Sequence, residues 1–579
     1  MIWLKDRPPF RGGFKLVDLL VICGVFLLLF AAVRLGEGMA VPFSETHQPP
    51  IELGLAALPY YAGRSLLRMF LALGASLVFT LLYGYVAAYH RWARVVLLPL
   101  LDILQSVPVL GFLSVTVVAF MALFPGSLLG LELASIFAIF TAMAWNMTFS
   151  FYYSLRTVPK ELNEAAAIYQ FGGWQRFVQL EVPFAMIGLV WNGMMSFGGG
   201  WFFLAASEAI TVLHKNIKLP GLGSYLATAI EQGKLGAVWA AIITMLVLIL
   251  AVDFFVWRPL IAWSQKFKFE QTEAGLTPQS PVLTMLQRST LVEVWSERVW
   301  QPLRERFFLA LVRLNRLLAA PTTKGDAWVW LRRLSGLGIL ALVGWGLVKG
   351  WGLLMGLVAT LSPGMVLQAI ALGSLTMLRV LVIVVLATLI WTPVGVWIGF
   401  NPKVARVAQP VVQVLASFPA VMLFPLITLC FLRFHISLDY GGILLMALGS
   451  QWYILFNVIA GAMAIPSDLR EAAAVFNLRG ALRWWRLIIP GIFPFWVTGA
   501  VTAAGGAWNA SIVAEVVSWN GQTLTAHGLG AYIARATTQG DWSAIALGIA
   551  VMALFVVGFN HLIWRPLYDL AERKYRLDI

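Results

Sequence analysis

Charge is scarce in this sequence. Aspartate, glutamate, lysine and arginine make up 12% of the 579 residues, about half the share carried by soluble globular chains. That scarcity excludes a water-soluble enzyme or binding domain of this size. Cysteine is rarer still. Cys23 and Cys430 each lie in apolar sequence, so no disulfide framework or thiolate metal site exists, and both read as small buried hydrophobes. The histidines at 47, 90, 214, 435, 527 and 561 are scattered, without metal or catalytic spacing. The chain has no Gly-x-x-x-x-Gly-Lys-Ser/Thr: Gly233-Lys234 is followed by Leu235 and has no upstream partner glycine. A nucleotide-binding loop is therefore excluded. No cluster of Asp, Glu or His gathers at one end of the apolar segments, which argues against a membrane-integral enzyme.

What is present is apolar sequence. Hydrophobic residues make up 60% of the chain and the mean hydropathy is +0.82. Apolar runs lie at 16–33 (Asp18 aside), 62–89, 95–124, 133–154, 184–206 and 237–257, and again at 335–360, 368–400, 407–432, 441–463, 491–514 and 543–564. A helix crosses a bilayer with about 20 apolar residues. The runs therefore predict six spans per half, about twelve in all: an all-α polytopic membrane protein.

The net charge of +14 is read as topology, not as nucleic-acid binding. Lys5, Arg7, Arg11 and Lys15 precede the first span and place the N-terminus in the cytoplasm by the positive-inside rule. Counting spans then puts His90–Arg94, Lys403–Arg406, the centre of the chain and the basic C-terminus on the same side. The loop at 34–61, with Glu37, Glu45 and Glu52 against Arg34, falls outside. The first run is too long for a signal-peptide core and no small-x-small site follows Val33, so it reads as a retained span.

The halves repeat. At an offset of 307 residues Trp145 matches Trp452, Pro159 matches Pro466, Glu164 matches Glu471 and Pro183 matches Pro490. Further along, Gly198-Gly199 match Gly505-Gly506, Trp201 matches Trp508, Glu208 matches Glu515, and Gly221-Leu222-Gly223 match Gly528-Leu529-Gly530. Upstream the offset is 311, as for Arg68 with Arg379, Pro99 with Pro410 and Pro108 with Pro419. Equal span counts and equal charge patterns give the halves one orientation. This is a parallel duplication about an axis along the membrane normal. The predicted organisation is a first six-span domain at 1–260, a basic cytoplasmic linker at 261–334 and a second six-span domain at 335–579. Within the linker, apolar residues recur at helical spacing among charges from Leu283 to Trp300, and Pro302 is expected to break or kink that helix. Two readings of it stand side by side: an amphipathic element on the inner membrane surface, or a helix packed on the bundle.

Each half interrupts its apolar sequence with one polar helix. The first reads Val158-Pro159-Lys160-Glu161-Leu162-Asn163-Glu164-Ala165-Ala166-Ala167; the second reads Ile465-Pro466-Ser467-Asp468-Leu469-Arg470-Glu471-Ala472-Ala473-Ala474. Each is followed by a proline nineteen residues after its glutamate. The opening prolines suit helix starts, and Pro183 and Pro490 suit a break before the next span.

This Glu-Ala-Ala pattern, with its downstream proline, resembles the cytoplasmic signature of permease subunits of binding-protein-dependent ABC importers. The Gly-Gly-x-Trp and Gly-Leu-Gly segments resemble the nitrate/sulfonate/taurine branch, in a duplicated and fused form. The resemblance covers nearly all of both halves and none of the linker. It implies two tandem six-helix transmembrane domains of the type I-like importer fold. The loops then become ATPase-coupling elements carried by Glu164, Ala165, Ala166 and Gly173, and by Glu471, Ala472, Ala473 and Gly480. It further implies two ABC ATPase subunits, an extracytoplasmic solute-binding protein, a small solute such as nitrate, a sulfonate or bicarbonate, and a bacterial or archaeal cytoplasmic membrane with both termini inside. ATP and Mg belong to the partner ATPase; no cofactor is expected on this chain. The family carries glycine six residues after the glutamate, where this chain has Gln170 and Asn477. Gly173 and Gly480 offer a turn three residues later.

Polar groups inside a membrane are costly and mark pathways. The candidates for a translocation path are Asn192, Trp201, Glu208, Trp508, Asn509 and Glu515; the bland alternative is helix–helix glue and interface anchoring. An ion-coupled secondary transporter of two six-span halves also fits twelve spans, but gives no reason for two matched Glu-Ala-Ala loops.

Overall fold

The computed structural model describes residues 16–43, 50–106, 109–212, 215–267, 280–303 and 359–575, with isolated positions between 305 and 356. The basic N-terminal arm, Glu45, His47, Pro108, His214 and most of the linker and of the run at 335–360 lie outside the described residues.

In the first half the helices are α1 (Leu16–Glu37), α2 (Leu58–Tyr89), α3 (Arg91–Ser106), α4 (Val109–Leu123), α5 (Leu129–Arg156) and the short α6 (Lys160–Ile168). The long α7 (Gly173–Glu208) follows. It leads into an antiparallel hairpin of β1 (Ala209–Val212) and β2 (Lys215–Lys218), then α8 (Leu222–Glu231) and α9 (Leu235–Phe267). Two linker helices, α10 (Pro281–Arg288) and α11 (Thr290–Trp295), are described. The second half runs α12 (Pro363–Phe400), α13 (Pro402–Ser417), α14 (Ala420–Phe434), α15 (Leu438–Ser450), α16 (Trp452–Ala464), the short α17 (Ser467–Val475) and α18 (Gly480–Ala514). It closes with the hairpin β3 (Val516–Trp519) and β4 (Gln522–Thr525), α19 (Leu529–Gln539) and α20 (Trp542–Ala571).

The all-α polytopic expectation stands, with two tandem bundles. Among the described residues eight helices are single apolar spans, and α13–α14 and α15–α16 are pairs bent by 77° and 44°. The third apolar run of the second half, α13 with α14, is therefore not one straight crossing; the same run of the first half is described as α3 and α4. Its first piece is amphipathic in both halves, with Pro99 inside α3 and Pro410 inside α13. Backbone groups freed at such breaks are tolerated at membrane depth where protein covers them.

Prolines act differently from the expected breaks. Residues 177–181 and 484–488 form a widened π turn inside an unbroken helix, immediately before Val182-Pro183 and Ile489-Pro490. The same turn precedes Pro259 and Pro566 at Asp253–Trp257 and Asn560–Trp564, and precedes Pro302 at Ser296–Trp300. Helix continues through Pro302 to Leu303. A proline ring collides with the carbonyl four residues back and lacks its own N–H; one extra residue in the turn moves that carbonyl away and keeps the helix running.

Both cysteines are exposed, not buried as the sequence led us to expect. On a membrane protein the outer face is itself apolar, so an apolar segment does not imply an interior position. The linker helices pack on the bundle. Contacts run from α10 to α1 and α9, and from α11 to α1. Asp18, fully buried, accepts hydrogen bonds from Ser289 Oγ (2.7 Å), Leu291 N (3.1 Å) and Thr290 Oγ1 at the start of α11.

The halves interlock. The third-run helices α13 and α14 of the second half pack on α7 and α9 of the first, and α4 of the first half packs on α18, α19 and α20 of the second. At the far end from α6 and α17, β1 touches α19 and β3 touches α8. Asn520 N donates to Ile230 O at 3.1 Å there.

Candidate functional site

The two short helices α6 and α17 are built alike, nine residues each, starting after Pro159 and Pro466 with φ near −54°. Each ends in a paired-bond turn. Phe171 N donates to Ala166 O (2.9 Å) and Gln170 N to Ala167 O (3.0 Å); Leu478 N donates to Ala473 O (2.8 Å) and Asn477 N to Ala474 O (3.0 Å). This Schellman arrangement demands a left-handed residue after the helix. Gln170 and Asn477 adopt it, at φ +51° and +52°. The turn therefore stays where the family glycine would stand, and Gly173 does not take it over. Gly480 is also left-handed, at φ +52°.

The middle alanine of each triplet, Ala166 and Ala473, is turned to the chain's own interior, while Ala167, Ala472 and Ala474 are exposed and Ala165 is half-buried. Glu164 and Glu471 are exposed and form no ion pair among the described residues. Beyond them each helix tip carries two large uncovered apolar side chains: Ile168 and Tyr169 at 79% and 74% exposure, Val475 and Phe476 at 82% and 77%. Each half thus carries, at one end of the bundle, a short polar helix with a bared apolar tip.

The second candidate region is the seam between halves. A small cavity of ≈ 20 Å³ lies there, with Met194, Gly198, Trp201 and Trp257 from the first half and Gln413 and Ser417 from the second among its lining. Gln413 Nε2 lies 2.8 Å from Met194 Sδ. A Cβ placed on Gly198 would meet Ser417 Oγ at 2.6 Å, so glycine is what lets α13 approach α7 this closely. Across the seam Asn509 Oδ1 accepts from Val109 N at 3.0 Å, covering the first turn of α4.

The sequence-predicted pathway residues divide. Trp201 borders the seam cavity and Asn509 bridges the halves. Asn192 is half-buried and donates to Ser150 Oγ (2.9 Å) and Gly188 O (3.0 Å) within its own half. Trp508 is buried against Phe555. Glu208 and Glu515 are fully buried at the hairpin ends of α7 and α18. Glu208 accepts from Arg68 Nη1 (2.6 Å), Ser65 Oγ (2.5 Å) and Gly223 N (2.6 Å). Glu515 accepts from Arg379 Nη1 (2.9 Å), Thr376 Oγ1 (2.8 Å) and Ala531 N (3.0 Å). A second acid completes each cluster: Glu132 with Arg64 and Arg68, and Asp439 with Arg379 and His527. Sequence reading missed Glu132 and Asp439, although the offset of the repeat relates them too. They stand alone in apolar sequence, and only the matched Arg68 and Arg379 hinted at partners. The Gly-Leu-Gly segments gain their reason here. Side chains at Gly221 and Gly528 would collide with the Glu208 and Glu515 carboxylates.

The family model of the binding-protein-dependent transport system inner membrane component matches the chain twice, over residues 80–257 and 391–576. Nitrate import permease protein NrtB of Synechococcus elongatus is 27% identical over 200 residues, 34% of this chain and 67% of that protein. Taurine transport system permease protein TauC of Escherichia coli is 25% identical over 176 residues, 30% of this chain and 60% of its own length. Bicarbonate transport system permease protein CmpB of Synechococcus elongatus is 28% identical over 132 residues, 23% and 46% respectively. The matched stretches thus span between about half and two thirds of these relatives.

Proposed function

The chain belongs to the family of binding-protein-dependent transport system inner membrane components, and from that premise we propose that it supplies both transmembrane halves of an ATP-driven anion importer. The docking helices α6 and α17 face the cytoplasm and each receives one ABC ATPase subunit. Glu164 and Glu471, with the exposed alanines beside them, contact the ATPase groove, and Ile168–Tyr169 and Val475–Phe476 fill it. Gly173 and Gly480 open the helices that carry each loop back into the membrane. ATP and Mg are bound by those partners, and an extracytoplasmic solute-binding protein delivers the solute to the hairpin end.

The translocation path runs along the seam, bordered by Trp201 and Asn509, with Asn192 and Trp508 shaping it from behind. Glu208 and Glu515 hold the hairpin end closed through their ion clusters. Seam residues Gln413, Ser417 and Asn509 are neutral and carry N–H or O–H donors. Such donors hold a partly dehydrated small anion without trapping it, as passage requires. Relatives named for nitrate, taurine and bicarbonate import support a small inorganic or sulfonate anion.

The observation that carries this reading is the pair of matched Glu-Ala-Ala helices with bared apolar tips at one end of the bundle. The test is copurification of the solubilised chain with candidate ATPase subunits, for wild type and for Glu164→Lys combined with Glu471→Lys. Two ATPase copies on the wild type and none on the variant is the expected result. Equal retention by the variant, or no ATPase on either, overturns it.

A further inference from the structure

The two docking helices are copies in backbone but not in how they are tied to the membrane bundle. In the first half the tie is a closed polar network. Glu181 sits in the π turn of α7 with its side chain 2% exposed. Its Oε1 accepts from Arg176 Nε at 2.9 Å and from the hydroxyl of Tyr89, the last residue of α2. Arg176 Nη2 reaches on to Asn163 Oδ1 at 2.9 Å, and Asn163 belongs to α6 itself, one residue before Glu164. The guanidinium also lies 5.7 Å from the Tyr89 ring centre. Glu181 Oε2 has no hydrogen-bond partner among the described residues, so the carboxylate depends on this one network for its compensation. The π turn is what makes the link possible, because it brings residues five apart onto one side of the helix.

At the matched places in the second half stand Phe400 for Tyr89, Arg470 for Asn163, Arg483 for Arg176 and Ile488 for Glu181. The carboxylate, the hydroxyl and the amide are all gone. Arg470 and Arg483 each lie 5.4 Å from the Phe400 ring centre. Arg470 spends its donors on Ile465 O of its own loop, at 3.1 and 2.8 Å. A cation over a ring tolerates sliding and tilting, whereas charge-assisted hydrogen bonds fix distance and direction. Two like charges over one ring also repel, and Arg479 and Arg486 leave this loop more basic on its exposed side.

We propose that Glu181, acting through Arg176, is a positioning residue that locks the first docking helix to the ends of α2 and α7, while the second docking helix rocks on Phe400. The two ATPase positions of this chain are therefore unequal. The first transmits displacement stiffly. The second is compliant. The meaning of the inference rests on the docking function proposed above, but its physical content does not.

The experiment uses the full chain alone, reconstituted in lipid nanodiscs, with Cys23→Ser and Cys430→Ser as background. A nitroxide label is placed at Ile168→Cys or at Val475→Cys, two tip positions of similar exposure, and mobility is read by electron paramagnetic resonance. Position 168 is expected to be the more ordered. Glu181→Gln and Arg176→Ala are expected to raise its mobility to that of position 475, with position 475 unchanged. Should Glu181→Gln fail to fold, Asn163→Ala cuts only the last link and is expected to do the same. Introducing Phe400→Tyr, Arg470→Asn and Ile488→Glu together is expected to order position 475. Equal mobility of the two tips in the wild type, or no response at 168 to cutting the network, overturns the proposal. Because no ATPase is present, that failure is separate from a failure of ATPase copurification, which sinks the docking function and leaves the brace standing.

Discussion

Arg68 and Glu208 meet at 2.6 Å in a fully buried ion pair that joins α2 to the far end of α7. The pair is repeated by Arg379 and Glu515 at 2.9 Å. Neither acid is left to line an open path; each is bound on several sides and fastens the helix that follows its hairpin.

Removing one partner strands the other. Glu208→Gln keeps a single accepting oxygen, for Ser65 Oγ or Gly223 N but not both, and is expected to cost less than loss of Arg68 because Arg68 still pairs with Glu132. Arg68→Ala leaves Glu132 and Glu208 short of a cation and is expected to destabilise the first half by about 3–5 kcal/mol. The measurement is the thermal midpoint of the solubilised chain followed by tryptophan fluorescence. A smaller loss for Arg68→Met with Glu208→Leu than for Arg68→Ala alone is expected; the reverse order would show that the pair is not what holds α2 to α7.

Gln170 holds a left-handed conformation that costs ordinary residues about 1–2 kcal/mol. Gln170→Gly removes that strain and is expected to stabilise the chain by up to about 1 kcal/mol, read as a rise in the thermal midpoint of the solubilised chain. Asn477→Gly is expected to change little, since asparagine tolerates the conformation. Equal effects at the two loops would contradict this account.

Gly198 permits close contact between α7 and α13. Gly198→Val is expected to pry the seam apart and abolish transport in proteoliposomes, while ATPase copurification is retained. Combining Gly198→Ala with Ser417→Ala is expected to recover part of what Gly198→Ala loses, because the clash at 2.6 Å involves Ser417 Oγ. Absence of any recovery would place the defect elsewhere.

Asp18 accepts two side-chain bonds and one backbone bond at the start of α11. Hydrogen bonds to a charged acceptor contribute about 1.5–3 kcal/mol each, so Asp18→Ala is expected to release the linker helices from α1. Limited proteolysis should then cut between 280 and 303 much faster than in wild type, and Asp18→Asn should fall between. Unchanged cutting would mean that α10 and α11 are held by their apolar contacts alone.

Much of the architecture was legible beforehand. Apolar runs of span length, a repeat at a constant offset and the Glu-Ala-Ala loops between the fourth and fifth runs are properties of composition and period. Such signals survive without a structure because a lipid-facing helix must be apolar along its whole length. The left-handed turn was not legible: the glycines suggested it three residues later, at Gly173 and Gly480, whereas the fold imposes it on Gln170 and Asn477. The pathway candidates were only half informative. An acid in an apolar run reads the same whether it faces a channel or a buried arginine, and the arginine that meets Glu208 comes from α2, far upstream in the chain.

Hydropathy and periodicity alone gave a duplicated all-helical membrane chain whose halves are each interrupted by one short polar helix. Those follow from local chemistry: what lipid accepts and what water accepts. Three-dimensional packing settled the remainder. It set the exchange of third-run helices across the seam, the burial of Glu208 and Glu515 in ion clusters, and the continuous helices that pass their prolines on widened turns. It also distinguished the first short helix, linked through Asn163 and Arg176 to Glu181, from the second, whose Arg470 lies over Phe400. Each of these depends on side chains far apart in the chain arriving within hydrogen-bond or van der Waals distance, and no local pattern encodes that meeting.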